Sequence, residues 1–273
     1  MLVCEPVYAG FFVPGQCEMR FSVLTIFPDM FGDFMRHGIV RRAIEKDLIQ
    51  VETTDLRRFA EGRHRVTDDR PYGGGCGMVM KPEPLIRAIQ SAKAQLPEAM
   101  TILLTPQGRT LDQPLAADLA RQPALVLVCG RYEGVDERVK QDHVDAEMSI
   151  GDFVMTGGEL AAMVVIDAVT RLLPDALGAE DSAHCDSFSQ DLLDHAHYTR
   201  PPEYDAAAVP TVLRSGDHQA VAQWRMESAL VRTLLKRPDL LTDRALTREE
   251  LTVLARFHDH LRRILEKAGR LAQ

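Results

Sequence analysis

No apolar run in the 273-residue chain is long enough to cross a bilayer, which excludes a helical membrane span. The N-terminus also does not read as a secretory leader. The first ten residues hold Glu5 and no Lys or Arg, so no basic segment precedes an apolar one. Cysteine is scarce: Cys4, Cys17, Cys76, Cys129 and Cys185 are odd in number, far apart and never in a C-x-x-C pair. That argues against a disulfide framework or a structural zinc site, and for a reducing, cytoplasmic setting. Two nucleotide fingerprints are absent, the phosphate loop G-x-x-x-x-G-K-[S/T] and the dinucleotide spacing G-x-G-x-x-G. No internal repeat is present. An excess of positive charge is missing too. The net charge of −8 counts against indiscriminate nucleic-acid binding.

What is there is a chain with 45% hydrophobic residues, enough for a sizeable core in one large or two ordinary domains. The basic residues are unevenly spread. Arg57, Arg58, Arg63, Arg65 and Arg70 crowd one stretch, and Arg225, Arg232, Lys236, Arg237, Arg262 and Arg263 form another. An acidic protein can therefore carry a local basic face.

Residues 1–18 read as an N-terminal extension with no period and no assigned function; Met19 is the more natural start. Phe21–Ile26 then predicts a buried strand, and Asp29 caps a helix to about Lys46. Ile49–Thr53 predicts a strand, and Arg57–Met80 a long glycine-rich loop. A helix opens at Pro82 and runs to about Leu96. Further strands are expected at Thr101–Leu104, closed by the turn Pro106-Gln107-Gly108, and at Ala124–Val128. Further helices are expected at Asp112–Arg121 and Glu159–Leu173. This alternation predicts an α/β domain with a mainly parallel sheet over residues 19–177. Past Pro174 the period is lost, and residues 178–190 read as an interdomain linker. Residues 191–273 read as a small helical domain. One helix spans Asp217–Arg237; a second, opened by a Thr247/Glu250 capping box, runs through Leu265.

Two neighbouring stretches look like a ligand pocket made of backbone: Val126–Gly134 (VLVCGRYEG) and Ser149–Leu160 (SIGDFVMTGGEL). Gly130, Gly134, Gly151, Gly157 and Gly158 permit positive φ and close approach of main chain to a ligand. Main-chain groups at Gly130 and Ile150–Met155 could read an adenine edge. Glu133 could hold a ribose hydroxyl or be a solvated loop acid. A third stretch, Arg70–Met78 (RPYGGGCGM), has four glycines in five residues. It reads as a hairpin tip or, given the preceding arginines, as a site touching phosphate. Arg171, near the end of an apolar helix, either complements the helix C-terminus or holds an anionic oxygen. From the residues alone Asp186 is a solvated carboxylate, His197 is a satisfied polar group or a catalytic one, and His184–Cys185 make no metal site without more ligands.

Several of these stretches together resemble the bacterial tRNA (guanine-N1)-methyltransferases of the SPOUT class. They are Phe27–Phe31 (FPDMF), Asp68–Met78 (DDRPYGGGCGM), Thr105–Arg109 (TPQGR), Val128–Arg138 (VCGRYEGVDER), Ser149–Leu160, Asp186–Phe188 (DSF) and His197–Pro201 (HYTRP). The resemblance runs from about Met19 to the C-terminus. It implies an α/β, SPOUT-type parallel sheet with a deep trefoil knot, a small all-helical C-terminal domain, and a homodimer with a shared active site. S-adenosylmethionine would be held by Thr105, Pro106, Gly130, Tyr132, Glu133, Ser149, Ile150, Gly151, Asp152, Phe153, Val154, Met155, Gly157 and Gly158. The substrate would be guanosine 37 of tRNA, with Asp186 as catalytic base and Arg171 as the catalytic arginine. Asp194, His197, Arg200 and Arg225 would touch the tRNA. The linker would order on tRNA binding. The resemblance also implies Mg²⁺, for which no ligand set is evident. Cys76 and Cys185 depart from the family pattern, which usually has proline and often an acidic residue there.

Overall fold

The computed structural model describes residues 19–177, 186–189, 191–242 and 244–271. The N-terminal extension, most of the 178–190 linker, and His184 and Cys185 lie outside the described residues. The chain divides into two compact units, 1–180 and 181–273.

In the first unit β1 (Met19–Thr25) is followed by the short helices α1 (Phe31–Phe34) and α2 (Gly38–Glu45), then β2 (Ile49–Asp55). A two-stranded ribbon, β3 (Asp68–Asp69) with β4 (Val79–Met80), leads into α3 (Pro82–Gln95). Then come β5 (Met100–Thr110), α4 (Gln113–Ala120), β6 (Ala124–Cys129), α5 (Glu137–His143), β7 (Ala146–Ser149) and α6 (Glu159–Thr170). The five long strands form one parallel sheet in the order β2-β1-β6-β5-β7.

Both sheet faces are buried, so the central strands are apolar throughout rather than alternating. In β6, Leu125, Leu127 and Cys129 join a core cluster with α2 and α6; Ala124, Val126 and Val128 join another with α3 and α5. Helix α6 places Ala162, Val165, Ile166 and Val169 on the first face at helical spacing, all with 0% exposure.

Four expectations need correction. The helix from Asp29 to Lys46 is broken. Asp29 sits in a 3₁₀ turn, Pro28–Met30, and makes no side-chain cap. The chain then enters α2 through an extended His37 and a Gly38 at φ +63°, which no continuous helix accommodates. Second, the loop 57–80 carries a 3₁₀ turn, Leu56–Phe59, and the β3–β4 ribbon. Third, the helix begun at Glu159 ends at Thr170, so Arg171 is its C-cap. Fourth, α5 and β7 were not expected. Val139 is the only buried residue of α5, so its sequence carries almost no apolar period; its start is fixed by Asp136, whose carboxylate accepts from the Arg138 amide.

Strand β5 continues beyond the predicted Leu104, but its pairing jumps. Met148 stands opposite both Leu104 and Arg109, so residues 105–108, the predicted turn, leave the ladder as a loop.

The second unit is helical at its core but is not the all-helical domain that the resemblance implied, because a short antiparallel ribbon precedes its helices. After a ribbon of β8 (Glu203–Tyr204) and β9 (Ala207–Ala208), it contains α7 (His218–Lys236), α8 (Asp239–Thr242) and α9 (Arg248–Leu271). Asp217 caps α7 by accepting from the amides of Gln219 and Ala220 at 3.0 Å. The capping box before α9 is made: the Glu250 carboxylate accepts the Thr247 amide at 2.8 Å, and Thr247 Oγ1 accepts the Glu250 amide at 3.2 Å. Leu230, Leu241 and Val253 form the small buried core. No described helix is long and apolar enough to cross a membrane.

Candidate active site

In a parallel sheet, strand ends and the loops leaving them form the natural ligand crevice. Here the loops leaving β5, β6 and β7 enclose a cavity of about 270 Å³. Its lining runs through Leu103–Gln107, Gly130–Val135, Met148–Gly151, Phe153–Gly158 and Ala161. The loop that bulges out of β5 thus brings Thr105 and Pro106 to the two glycine stretches. Of the predicted cofactor residues, Asp152 alone is outside the lining. A second cavity of about 250 Å³ lies beside β1, β2 and α3; it has none of the glycine turns.

The glycines act by two mechanisms. Gly134 and Gly151 adopt φ of +129° and +146°, where side chains are rarely tolerated. Gly130, Gly157 and Gly158 do not use positive φ; of the two expected reasons, close approach is theirs. A Cβ on Gly158 would stand 2.8 Å from the Cα of Cys129 and 3.1 Å from the Gly130 nitrogen. That closeness lets the Gly158 amide donate to the Gly130 carbonyl at 2.9 Å, stitching the two loops together. Tyr132, not a glycine, takes the left-handed conformation in the first loop, at φ +59°.

Beneath the lining lies a buried ion pair. Glu159, the first residue of α6, is 1% exposed. Its carboxylate accepts from Arg131 Nε at 3.2 Å and from Thr25 Oγ1 at 2.8 Å. The Arg131 guanidinium also stacks on Phe27, 4.3 Å from the ring centroid. The network therefore joins the end of β1, the loop after β6 and the start of α6. Burial, and then the Glu159 charge, push the neighbouring Cys129 thiol up well above its ordinary value, so it is not a thiolate nucleophile.

The glycine-rich stretch docks on the first loop. Met78 accepts the Glu133 amide at 3.0 Å, and the Met80 amide donates to Gly134 at 2.9 Å. Gly77, at φ +80°, would place a Cβ 2.2 Å from Glu133 Oε1. Only glycine lets the Glu133 carboxylate lie there. Tyr132 is drawn toward the same stretch. Burial first, then the Asp68 carboxylate, raise its phenol above the ordinary value.

In the second unit, Asp186 is half-buried in a short turn, with its carbonyl accepting the Ser189 amide. This segment is bound to its surroundings through main-chain donors. The Asp194 amide donates to Ser187 Oγ at 3.0 Å, Leu193 to Thr233 Oγ1 at 2.9 Å, and Ala196 to Ser228 Oγ at 3.1 Å. Thr233 and Ser228 lie on α7, so that helix carries the segment holding Asp186, Asp194 and His197. The Asp194 carboxylate contacts His195 Nδ1 at 2.6 Å and His197 Nε2 at 2.7 Å. Burial works to raise the Asp194 pKa, but the hydrogen bonds from His197 and the His195 amide outweigh it and hold the carboxyl below its ordinary range. Arg200 and Arg225 are exposed in this unit, and Arg171 is exposed in the first.

A family model described as tRNA (Guanine-1)-methyltransferase TrmD matches residues 19–243. The chain belongs to this family. Relatives named tRNA (guanine-N(1)-)-methyltransferase cover most of it. The one from Desulfatibacillum aliphaticivorans is 51% identical over 92% of this chain and 96% of its own length. That from Geotalea uraniireducens is 54% identical over 87% and 98%, and that from Halorhodospira halophila 55% identical over 87% and 90%.

Within this tRNA (guanine-1)-methyltransferase, sequence reasoning missed several residues. Thr25 and Glu159 were read only as parts of a strand and a helix. The signal available was an acid at the first position of a mostly apolar helix. Ser228 and Thr233 gave no signal, because their roles come from contacts between α7 and residues 193–196; the signal for His195 was local, the run Asp194-His195-Ala196-His197. The Mg²⁺ implied by the resemblance can be tested against the donors. Among the described residues, one group of three or more His, Cys, Asp or Glu side chains could share an ion, namely Asp194, His195 and His197. Two imidazoles in that set do not suit magnesium, which takes oxygen ligands.

Proposed function

We propose that the protein transfers a methyl group from S-adenosylmethionine to N1 of guanosine 37 in tRNA, beside the anticodon. The observation that carries this reading is the backbone-lined cavity at the strand ends, in a chain of the tRNA (guanine-1)-methyltransferase family. What supports the fit is a cavity lined by three strand-end loops that glycines let close on one another: a Cβ at Gly158 would meet backbone, and one at Gly157 would meet Arg131 and Glu159 at 2.5 Å. When bound, S-adenosylmethionine supplies an electrophilic methyl on a sulfonium. The predicted set from Thr105 to Gly158 would hold it, chiefly through main chain.

Guanine N1 carries a proton at neutral pH. Asp186 would accept that proton as general base as N1 forms its bond to the methyl carbon. The donor would supply the methyl and leave as a neutral thioether. Electron density that builds on guanine O6 would be stabilised by Arg171. Holding N1 in line with the methyl contributes much of the acceleration. The base must leave its stack to be reached.

The remaining expectations belong to the same reading. The two loops, stitched by Gly158 and Gly130, would be parts of a SPOUT-type trefoil knot. Exposed Phe153, Val154, Leu160 and Val164 support a homodimer, in which the active site would be shared. The helical domain, with Arg200, Arg225, Asp194 and His197, would grip the anticodon arm. The organisation would be that of residues 19–177 and 191–273 joined by the 178–190 linker, in a cytoplasmic enzyme.

The test is transfer of labelled methyl to tRNA transcripts bearing G or A at position 37. Label is expected in the G transcript alone; none there refutes the reading. Tight tRNA binding without transfer would favour the alternative, an RNA-binding protein of this fold. Asp186→Ala is expected to abolish turnover while keeping cofactor affinity, and retained turnover would assign the base elsewhere.

A further inference from the structure

We propose that Asp194, His195 and His197 form a binding site for a divalent transition cation of the zinc class. One ligand atom from each of the three lies within 4.8 Å of the others. The carboxylate stands between the imidazoles, touching one at 2.6 Å and the other at 2.7 Å. A cation with bonds of about 2.0–2.2 Å would replace these two contacts after small side-chain rotations. Two nitrogens and one carboxylate oxygen are the donor set that borderline cations prefer and magnesium does not.

The site is anchored but open. Its main chain is fixed by Ser187, Ser228 and Thr233. His195 is packed edge-on against Trp224, with ring centroids 6.3 Å apart, and its side chain is 18% exposed. His197 is 69% exposed, so a bound cation would keep a position facing solvent. Occupancy would draw Asp194 and His197 away from other partners. A cation here would therefore antagonise tRNA binding. That consequence rests on the reading of these two residues as tRNA contacts; the site itself does not.

Trp224 is the only tryptophan, so the full-length chain reports on its own site. Zn²⁺ titrated by calorimetry, and Co²⁺ titrated against Trp224 fluorescence, are expected to show one-to-one binding and quenching. Asp194→Asn and His197→Ala should each weaken binding tenfold or more, and His258→Ala, at an exposed histidine on α9, should leave it unchanged. Unchanged binding in both site variants, its loss in His258→Ala alone, or equal quenching by Mg²⁺ would overturn the proposal. In the second arm, Zn²⁺ should lower tRNA affinity in the parent chain and not in His195→Ala. Zn²⁺ bound without any change in tRNA affinity would overturn the antagonism and the tRNA reading of these residues, while leaving the cation site standing.

Discussion

Removing the Arg131 guanidinium tests whether the buried ion pair holds the cofactor loops in place. Glu159 has a side chain 1% exposed, and Arg131 one 19% exposed. Arg131→Met keeps most of the aliphatic length but leaves the carboxylate with Thr25 Oγ1 alone. Breaking a buried pair by deleting one partner costs about 3–5 kcal/mol, because the remaining charge has lost its compensation. Arg131→Lys retains charge but loses the flat stacking on Phe27, a contact worth about 0.5–2 kcal/mol. The double variant Arg131→Met/Glu159→Gln removes both charges, so it should be more stable than Arg131→Met alone. Urea unfolding of the four members of this cycle gives the coupling. Because the Cβ position of Gly157 is 2.5 Å from both Arg131 Nε and Glu159 Oε2, movement of the pair also moves the lining. Calorimetry with S-adenosylmethionine should therefore show weaker binding in each single variant. A loss below about 1 kcal/mol for Arg131→Met, the range of exposed pairs, would refute the reasoning. So would strictly additive single effects.

Three further outcomes are expected. Gly158→Ala sets a Cβ 2.8 Å from the Cys129 Cα, so the two loops must part; S-adenosylmethionine affinity should fall tenfold or more, about 1.4 kcal/mol, and an unchanged calorimetric affinity would dismiss the close-approach argument. Thr233→Val removes the acceptor of the Leu193 amide; leaving that amide unpaired costs about 1–3 kcal/mol, and steady-state kinetics should show a lower kcat with unchanged KM for S-adenosylmethionine, restored by Thr233→Ser. Acid should weaken the helical unit. For Glu250, burial acts to raise the pKa, but the hydrogen bond from Arg244 and that from the Thr247 amide outweigh it, and Asp194 is likewise lowered. Both carboxyls are depressed on folding, so their stabilisation is full above their ordinary values near 4 and is lost as pH falls through the lower folded values. Thermal melts by circular dichroism between pH 7 and pH 3 should record this, with a shallower decline in Glu250→Gln.

Much of the first unit was legible because its core strands are apolar on both faces and its helices carry long apolar stripes. Phe21–Ile26, Ala124–Val128 and Glu159–Thr170 announce themselves in that way. Helix α5 did not, since it buries Val139 alone, and β7 is four residues long. The division of α1 from α2 was hidden in Gly38, whose positive φ is not readable from residue type. The capping box at Thr247 and Glu250 was legible because it is a local reciprocal pair.

The sequence by itself determined the class of fold, the two glycine stretches and the family, since those depend on period, residue type and order along the chain. Tertiary structure decided what the glycines are for. Gly134 and Gly151 serve backbone conformation, whereas Gly157 and Gly158 serve contact with segments some thirty residues away. It also decided that Glu159 reaches Thr25 across 134 residues of chain, and that Asp194 binds two histidines on a segment carried by α7. The Glu159–Thr25 pairing is set by packing between elements, and no local pattern in the chain encodes it; Asp194 and its histidines are near neighbours in sequence, and what packing decides there is their mounting on α7.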